Sequence, residues 1–262
     1  MNLSLENKHA LVCGSTQGIG KAAAIGLAML GARVTVVARN ESELQQVCKE
    51  LSMPFKQKHD YIVADFSKPE ELKSKVDKYI ASNGAIHILV NNTGGPSGGS
   101  ITEAKPEEFI STFNNHLICN HLLAQAVLKG MKEAGYGRII NIISTSVKQP
   151  IRGLGVSNTI RAAVANWSKT LAGEVAEYKI TVNNILPGAT ETIRLTSLLE
   201  AKSHRTGKSI VELKQEMISE IPMKRFADAN EIAYAVAFLV SPAAGYITGI
   251  NLPVDGGRTS SL

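Results

Sequence analysis

Cysteine is scarce in this sequence, and its spacing carries no pattern. The three cysteines, Cys13, Cys48 and Cys119, lie far apart, and no Cys-x-x-Cys pair or Cys/His cluster occurs. This spacing suggests neither a disulfide framework nor a structural zinc site. We therefore expect no bound metal. A chain of 262 residues with 44% apolar residues can bury a core large enough to fold without such cross-links.

Long apolar runs and blocks of like charge are also missing. No segment approaches the roughly 20 apolar residues of a membrane-spanning helix, and residues 1 to 10 lack the apolar core of a secretory signal. The net charge is +5, but the basic residues are scattered. Nucleic-acid binding requires a concentrated basic patch. We expect a cytoplasmic protein that binds neither membranes nor nucleic acid, with a mild basicity that suits small anionic ligands or plain solubility.

Short apolar segments alternate with helical segments along the whole chain. The predicted strands cover 9–13, 33–38, 61–65, 86–90, 139–143, 180–186 and 250–254. The predicted helices cover 21–30, 41–51, 69–82, 109–133, 157–178, 193–220 and 229–240. Nearly continuous apolar strands separated by helices indicate a parallel sheet that is covered on both faces. Because no linker or repeat interrupts the pattern, residues 1–262 are predicted to form a single doubly wound α/β domain around a seven-stranded parallel sheet.

A glycine-rich loop follows the first predicted strand and opens the first predicted helix. Its sequence is Gly14-Ser15-Thr16-Gln17-Gly18-Ile19-Gly20. Glycines permit a tight turn and let backbone N–H groups approach a pyrophosphate at the positive end of the helix. An ordinary strand-to-helix turn is the alternative interpretation. The position between strand and helix favours dinucleotide binding, as in a Rossmann fold.

The Gly-x-x-x-Gly-x-Gly spacing resembles the short-chain dehydrogenase/reductase family, and further segments match that family in order. These segments are Asp65, Asn91-Asn92-Thr93-Gly94, Pro187-Gly188-Ala189-Thr190-Glu191-Thr192, Pro222-Met223-Lys224-Arg225-Phe226, Tyr246-Ile247-Thr248-Gly249 and Val254-Asp255-Gly256-Gly257. The resemblance covers essentially the whole chain and is nearest to 3-oxoacyl-carrier-protein reductases. It implies an oxidoreductase that moves hydride between a nicotinamide and a carbonyl/alcohol pair, with a 3-oxoacyl thioester among the candidate substrates.

The resemblance also assigns a cofactor site. It implies that Asp65 lies near the adenine and that Thr192 meets the nicotinamide carboxamide. The expected cofactor-binding residues are Gly14, Ser15, Thr16, Gln17, Gly18, Ile19, Gly20, Arg39, Asp65, Asn91, Gly94, Pro187, Gly188 and Thr192.

The end of the second predicted strand bears on which cofactor is used. An acidic residue there would accept hydrogen bonds from the ribose hydroxyls and repel a 2′-phosphate. The chain has Ala38-Arg39-Asn40 instead, and Arg39 can pair with that phosphate. This favours NADP(H) over NAD(H), with a solvated surface arginine as the alternative interpretation.

The catalytic positions depart from the family. Its members usually combine an asparagine, a serine, a tyrosine that exchanges the proton, and a lysine that lowers the tyrosine pKa. By the resemblance, Ser144 falls at the serine position and is the candidate catalytic residue. Ser157 and Arg161 fall at the tyrosine and lysine positions, and His116 falls at the asparagine position.

These replacements weaken the usual acid–base chemistry. The hydroxyl of Ser157 is a much weaker acid than a phenol, whose pKa is about 10, and it stops short by a whole ring. Arg161 keeps the positive charge and can still bind the ribose hydroxyls, but it cannot release a proton. Histidine ordinarily titrates near neutral pH, so His116 is a candidate acid. The alternative is that His116 only fills a helix kink and bonds to backbone.

Two functions remain open from the sequence. The first is an NADP(H)-dependent reductase or dehydrogenase with a non-standard proton donor. The second is a cofactor-binding protein with little catalytic power and a regulatory or assembly role. Substrate contacts are expected from residues 193–220, the substrate lid by resemblance, where Lys202, His204, Arg205 and Lys208 either meet an anionic substrate or form a solvated helix face.

Quaternary structure is a further implication of the resemblance. In the family, helices corresponding to 109–133 and 157–178 pair across two-fold interfaces, so we expect a homotetramer. The apolar faces of these helices fit that role and also fit burial in a core.

Overall fold

The computed structural model of the protein describes residues 1–261. One parallel sheet runs through the molecule. Its strands are β1 (His9–Cys13), β2 (Arg33–Ala38), β3 (Asp60–Val63), β4 (Ile88–Asn91), β5 (Gly137–Ile142), β6 (Ile180–Pro187) and β7 (Asn251–Val254). The order across the sheet is β3-β2-β1-β4-β5-β6-β7, and every neighbouring pair is parallel. The predicted seven-stranded Rossmann-type sheet is confirmed.

Helices connect the strands in a doubly wound arrangement. They are α1 (Gly18–Met29), α2 (Glu41–Glu50), α3 (Pro69–Asn83), α4 (Pro106–Phe113), α5 (Cys119–Ala134), α6 (Gly155–Val175), α7 (Ile193–Thr206), α8 (Ile210–Ser219) and α9 (Ala229–Val240). A π-helical turn, Asn114–Ile118, joins α4 to α5. No helix within residues 1–261 is both long and apolar enough to cross a lipid bilayer.

Two predicted helices differ from the structure. The prediction of one helix over 193–220 was wrong, because Gly207 takes a left-handed conformation (φ 72°) that ends α7, and Ser209 then caps α8. The helix predicted over 109–133 begins earlier, at Pro106, and contains the π turn. Proline is favoured in the first turn of a helix, where its missing N–H costs no hydrogen bond.

The core has two layers, one on each face of the sheet. Helices α1, α2 and α9 cover one face, where Leu27 packs in the cluster that contains Val12. Helices α3, α5 and α6 cover the other, where Leu123 packs in the cluster that contains Leu11. Adjacent strand residues therefore serve opposite layers, as the alternation of side chains along a strand requires. Helices α7 and α8 enclose a small cluster of their own, which contains Leu199 and Leu213.

The strand order reverses between β1 and β4. The chain runs outward from β1 toward β3 on one side and from β4 toward β7 on the other. In sheets of this kind, ligands bind in the crevice outside the carboxyl ends of the strands at such a reversal. The segments that follow β1, β4, β5 and β6 meet at this edge and contain most of the candidate site residues, whereas Arg39 and Asp65 follow β2 and β3.

Candidate functional site

Two glycines of the loop between β1 and α1 are packed too closely against other atoms to be replaced by a residue with a side chain. Gly14 and Gly18 have positive φ values of 57° and 54°. A Cβ on Gly14 would lie 2.4 Å from Asn92 O, and a Cβ on Gly20 would lie 2.1 Å from Gly14 O. Real Cβ atoms do not approach other atoms this closely. Glycine is therefore required at these positions by the folded chain itself.

The amino end of α1 is free of side chains that would occupy an anion's place. Gln17, at the cap position, makes no side-chain cap hydrogen bond, and the first turn contains no acidic residue. The first N–H groups of a helix lack intrahelical partners and carry a partial positive charge. This end of α1 is thus suited to bind a phosphate.

The other side chains of the loop have separate roles. Ser15 is buried, and its Oγ accepts a hydrogen bond of 3.0 Å from Val37 N on β2. Contact of Ser15 with a cofactor would therefore involve its backbone. Ile19 packs on the core, whereas Thr16 is half-buried and Gln17 is exposed at the edge of the crevice.

The segment after β4 ties the crevice together. Asn91 is buried and donates to Asn141 Oδ1 on β5 at 2.8 Å. Asn92, which we did not single out from the sequence, donates through Nδ2 to Gly14 O at 3.0 Å and to Cys13 O at 3.3 Å. Gly94 is exposed, and a Cβ there would meet no atom within 4 Å. The side of Gly94 on which a Cβ would lie is therefore not filled by other protein atoms.

The segment after β6 closes the other side of the glycine loop. Gly188 packs on the strand-end residue Asp255, which a Cβ on Gly188 would approach to 2.7 Å. The preceding residue, Pro187, is the last of β6 and pairs with Val254. A Cβ on Gly18 would lie 3.2 Å from Thr192 Cγ2. Residues far apart in sequence thus converge at the amino end of α1.

Arg39 and Asp65 lie together beyond the ends of β2 and β3. Arg39 is exposed, and Asp65 is half-buried. The pKa of Asp65 is lowered by the hydrogen bond of 2.9 Å from Ser67 N, and the charges of Arg39 and Lys68 lower it further. Asp65 therefore stays ionised, and the exposed Arg39 is close enough for its charge to act on that carboxylate.

Ser144 and Ser157 stand on the β5 side of the crevice. Ser144 caps a short 3₁₀ turn, Thr145–Val147, and its Oγ accepts a hydrogen bond of 3.1 Å from Ser146 N. Ser157 is half-buried in the first turn of α6. One helical turn further on, Arg161 is buried, and its Nη1 donates to Ile142 O at 2.8 Å.

Two arginines come together here, and the sequence had pointed to only one of them. Arg161 is on α6, and Arg194 is on α7, where its Nη2 donates to Pro96 O. Burial lowers the pKa of Arg161 to about 10, and the charge of Arg194 adds to this effect. Arg161 therefore remains charged at neutral pH. Only the position of Arg194 two residues after Thr192 hinted at its placement in the crevice.

His116 lies in the π turn between α4 and α5. It is buried, and its Nδ1 is 2.6 Å from Thr93 Oγ1. Burial holds its pKa well below the usual value, and the charges of Arg161 and Arg194 act in the same direction. The imidazole is neutral at pH 7 and so is not a protonated acid. The contact favours the interpretation of His116 as a residue that positions the segment after β4.

The predicted lid charges have mixed surroundings. Lys208 is paired with Glu216 in an ion pair. His204 and Arg205 are exposed, and Lys202 is half-buried. Within residues 1–261, no three or more His, Cys, Asp or Glu side chains are grouped so that they could hold a metal ion.

Comparison with known proteins gives a consistent result. Residues 14–259 match the family model described as enoyl-(acyl carrier protein) reductase. The 3-oxoacyl-[acyl-carrier-protein] reductase of Vibrio cholerae is 34% identical over 255 residues, which cover 97% of this chain and 98% of that protein.

Solved structures show the same architecture. L-sorbose reductase from Gluconobacter frateurii, complexed with NADPH and L-sorbose, superposes with a TM-score of 0.93 at 33% identity, with complete coverage (100%) of both chains. The 3-ketoacyl-(acyl-carrier-protein) reductase of Brucella melitensis, complexed with NADH, gives a TM-score of 0.84 at 31% identity over 98% of this chain and 100% of the other.

Proposed function

The chain belongs to the short-chain dehydrogenase/reductase family of NAD(P)-dependent oxidoreductases, and from this premise we propose that it transfers hydride between NADP(H) and a small carbonyl/alcohol pair with a proton donor other than a tyrosine phenol. The observation that carries the proposal is the convergence of the uncapped amino end of α1, the loop after β4 and Thr192 around one crevice.

The residues at this crevice fit a dinucleotide. The amino end of α1 would hold the pyrophosphate through backbone N–H groups, since no side chain caps it. Thr192 would meet the nicotinamide end, and its closeness to Gly18 agrees with a ligand that spans both. Gly94 would leave room for the ribose, because nothing surrounds a Cβ at that position. When bound, the nicotinamide ring supplies or accepts the hydride.

The preference for NADP(H) rests on Arg39. Its exposed guanidinium at the end of β2 is free of salt bridges within residues 1–261, and a 2′-phosphate there would gain a charge-assisted hydrogen bond. Solved relatives contain NADPH in one case and NADH in another. The proposed preference therefore depends on Arg39 of this chain and is not taken from these relatives.

The residues on the β5 side of the crevice fit a proton donor that differs from the family's usual tyrosine. We assign Ser144 to orient the substrate oxygen, as its hydroxyl stands at the end of β5. Ser157 and Arg161 take the positions at which the family usually has tyrosine and lysine. His116 is neutral and is engaged by Thr93. Reduction of ordinary ketones and 3-oxoacyl thioesters is accordingly expected to be slow.

Ligand-induced stabilisation tests the cofactor assignment. A ligand that binds only the folded state raises the melting temperature by mass action. NADPH is expected to raise it more than NADH does at the same concentration. Equal or larger stabilisation by NADH would refute the preference, and no shift with either would refute nucleotide binding at this crevice.

Restoring the usual acid–base pair tests the catalytic assignment. The double variant Ser157→Tyr/Arg161→Lys should oxidise NADPH with an acetoacetyl thioester about 10²- to 10⁴-fold faster than the natural chain, the usual contribution of general acid catalysis. Both proteins should bind NADPH equally. Fast turnover by the natural chain would mean that an acid is present which we have not identified. A folded, NADPH-binding double variant that stays inactive would favour the second function, cofactor binding without catalysis.

A further inference from the structure

A pair of arginine side chains at the inner end of the crevice has no evident partner of opposite charge. The Nη2 atoms of Arg194 and Arg161 lie 3.3 Å and 3.7 Å from the position that a Cβ on Gly95 would take. The two guanidinium groups therefore approach one point in the loop after β4, although they come from different helices, α6 and α7.

The side-chain hydrogen bonds of Arg161 and Arg194 use only a minority of the guanidinium N–H donors. Arg161 donates to Ile142 O, and Arg194 donates to Pro96 O. Each guanidinium has five N–H donors. Among the residues that the structure describes, no Asp or Glu forms a salt bridge with either arginine.

This arrangement is electrostatically unfavourable without a ligand. Arg161 is buried to 8% exposure, and a charged group is rarely buried unless it is paired. The second positive charge of Arg194 adds repulsion, and the neighbouring His116 is neutral and contributes no negative charge. An anion between the two guanidiniums would offset both effects, because guanidinium binds carboxylate and phosphate oxygens through two parallel hydrogen bonds.

The pair lies on the substrate side of the crevice. Arg161 bonds to Ile142 O, two residues before Ser144. The glycine loop and the amino end of α1 would serve the pyrophosphate, and Arg39 would serve the 2′-phosphate at the outer end. Neither phosphate group of the cofactor therefore needs Arg161 or Arg194.

We propose that Arg161 and Arg194 form an oxyanion-binding site for a carboxylate or phosphate group that the substrate carries next to its reacting carbonyl. The proposal rests on the proposed function and narrows it to small oxo or hydroxy compounds with an anionic group. An acyl thioester is neutral beside its reacting carbon and would leave the pair uncompensated.

Calorimetric titration of the NADPH-saturated protein tests this site with matched probes. Acetoacetate and acetoacetamide have the same size, and only the first is an anion. Hydroxyacetone phosphate and hydroxyacetone form the corresponding phosphate pair. The anion of at least one pair is expected to bind about 10- to 100-fold more tightly than its neutral partner, the range expected for a charged hydrogen-bond partner. The pair with the larger ratio identifies carboxylate or phosphate as the ligand.

Variants connect the selectivity to the two side chains. Arg194→Met removes the exposed member of the pair and should abolish the preference for the anion, whereas Arg194→Lys should retain part of it. Arg161→Met should also abolish the preference for the anion. Because Arg161 is buried, this variant can fail to fold, and Arg194→Met then decides the test. Lys49→Met, on the outer surface of α2, removes the same charge and should leave the preference unchanged.

The outcomes separate this site from the cofactor assignment. Equal binding of anionic and neutral probes to a protein that binds NADPH would overturn the site and leave the proposed function standing. Loss of NADPH affinity in Arg194→Met and Arg161→Met, in folded proteins, would mean that the arginines hold the cofactor and would also overturn it. Arginine-dependent anion binding by a protein that binds no NADPH would support the site and refute the proposed function.

Discussion

At the scale of single residues, Arg39 controls the expected choice between the two nicotinamide cofactors. Replacing it by aspartate removes the partner of the 2′-phosphate and supplies a carboxylate for the ribose hydroxyls. Arg39→Asp is expected to weaken NADPH binding about 10- to 100-fold, the loss of one charged hydrogen-bond partner, and to strengthen NADH binding. Fluorescence titration of both cofactors measures this reversal.

A neutral replacement separates the two effects. Arg39→Met should weaken NADPH binding without improving NADH binding, because methionine offers no acceptor for the ribose. If both variants keep the natural preference for NADPH, another residue must recognise the 2′-phosphate.

Another residue, His9, is expected to make the fold sensitive to acid. It is buried at the start of β1, with Nε2 2.8 Å from Thr35 Oγ1. Burial, followed by the charges of Arg33 and His87, lowers its pKa from 6.5 to about 3. The unfolded chain therefore takes up the proton first as the pH falls. The stability contributed by neutral His9 is complete above pH 6.5 and is lost progressively toward pH 3.

Urea unfolding between pH 7.5 and pH 5 measures this contribution. A histidine that stays neutral in the folded protein lowers the free energy of unfolding by about 2 kcal/mol as the pH falls from 6.5, its pKa in the unfolded chain, to pH 5. His9→Gln, which keeps a polar partner for Thr35, should lose that much less stability over the interval. His204→Gln, at an exposed position, is the control and should follow the natural chain. Parallel curves for His9→Gln and the natural chain would contradict the assignment.

At the scale of elements, two of the three glycines in α1, Gly20 and Gly26, have opposite constraints. A Cβ on Gly20 would lie 2.1 Å from Gly14 O and 2.6 Å from Asn92 Nδ2, whereas a Cβ on Gly26 would meet nothing within 4 Å. Gly20→Ala must displace the glycine loop, so it should abolish NADPH binding and reduce stability by about 1–3 kcal/mol. Gly26→Ala should keep NADPH binding and add about 0.5–1 kcal/mol through helix propensity.

Chemical unfolding and an NADPH titration of both variants make the comparison. The two changes add the same methyl group to the same helix, so any difference reports the local packing. Natural NADPH affinity in Gly20→Ala would show that the amino end of α1 does not hold the cofactor.

At the scale of the whole molecule, the homotetramer implied by the family resemblance remains a prediction. Helix α4 leaves Ile110 and Phe113 exposed, at 61% and 38% of their surface. Light scattering at micromolar concentration should give the mass of four chains of 28.0 kDa. Ile110→Glu should reduce this mass, because a charge in an apolar interface is costly. Met53→Glu, at an exposed methionine in the segment between α2 and β3, should not.

A monomer at micromolar concentration would refute the tetramer. An unchanged mass in Ile110→Glu would place the interface on surfaces other than α4.

Those properties that depend on short stretches of chain could be predicted from the sequence. Apolar strands, amphipathic helices and the Gly-x-x-x-Gly-x-Gly loop each have local physical causes, so the parallel sheet and the crevice edge followed from their order. The end of α7 at Gly207 also has a local signal in the sequence, a glycine followed by the Ser209–Glu212 capping box. We missed it because the helical pattern continues on both sides. The element boundaries shifted by a few residues because terminal turns depend on their surroundings.

The tertiary structure alone decided which distant side chains meet. Arg161 and Arg194 come from different helices, and both approach Gly95 in the loop after β4. His116 is an ordinary histidine in the sequence, and burial beside two positive charges makes it neutral. Ser15 lies in the phosphate loop but directs its hydroxyl to β2. Charge state and contact depend on what the rest of the chain brings within a few ångströms, and local sequence does not contain that information.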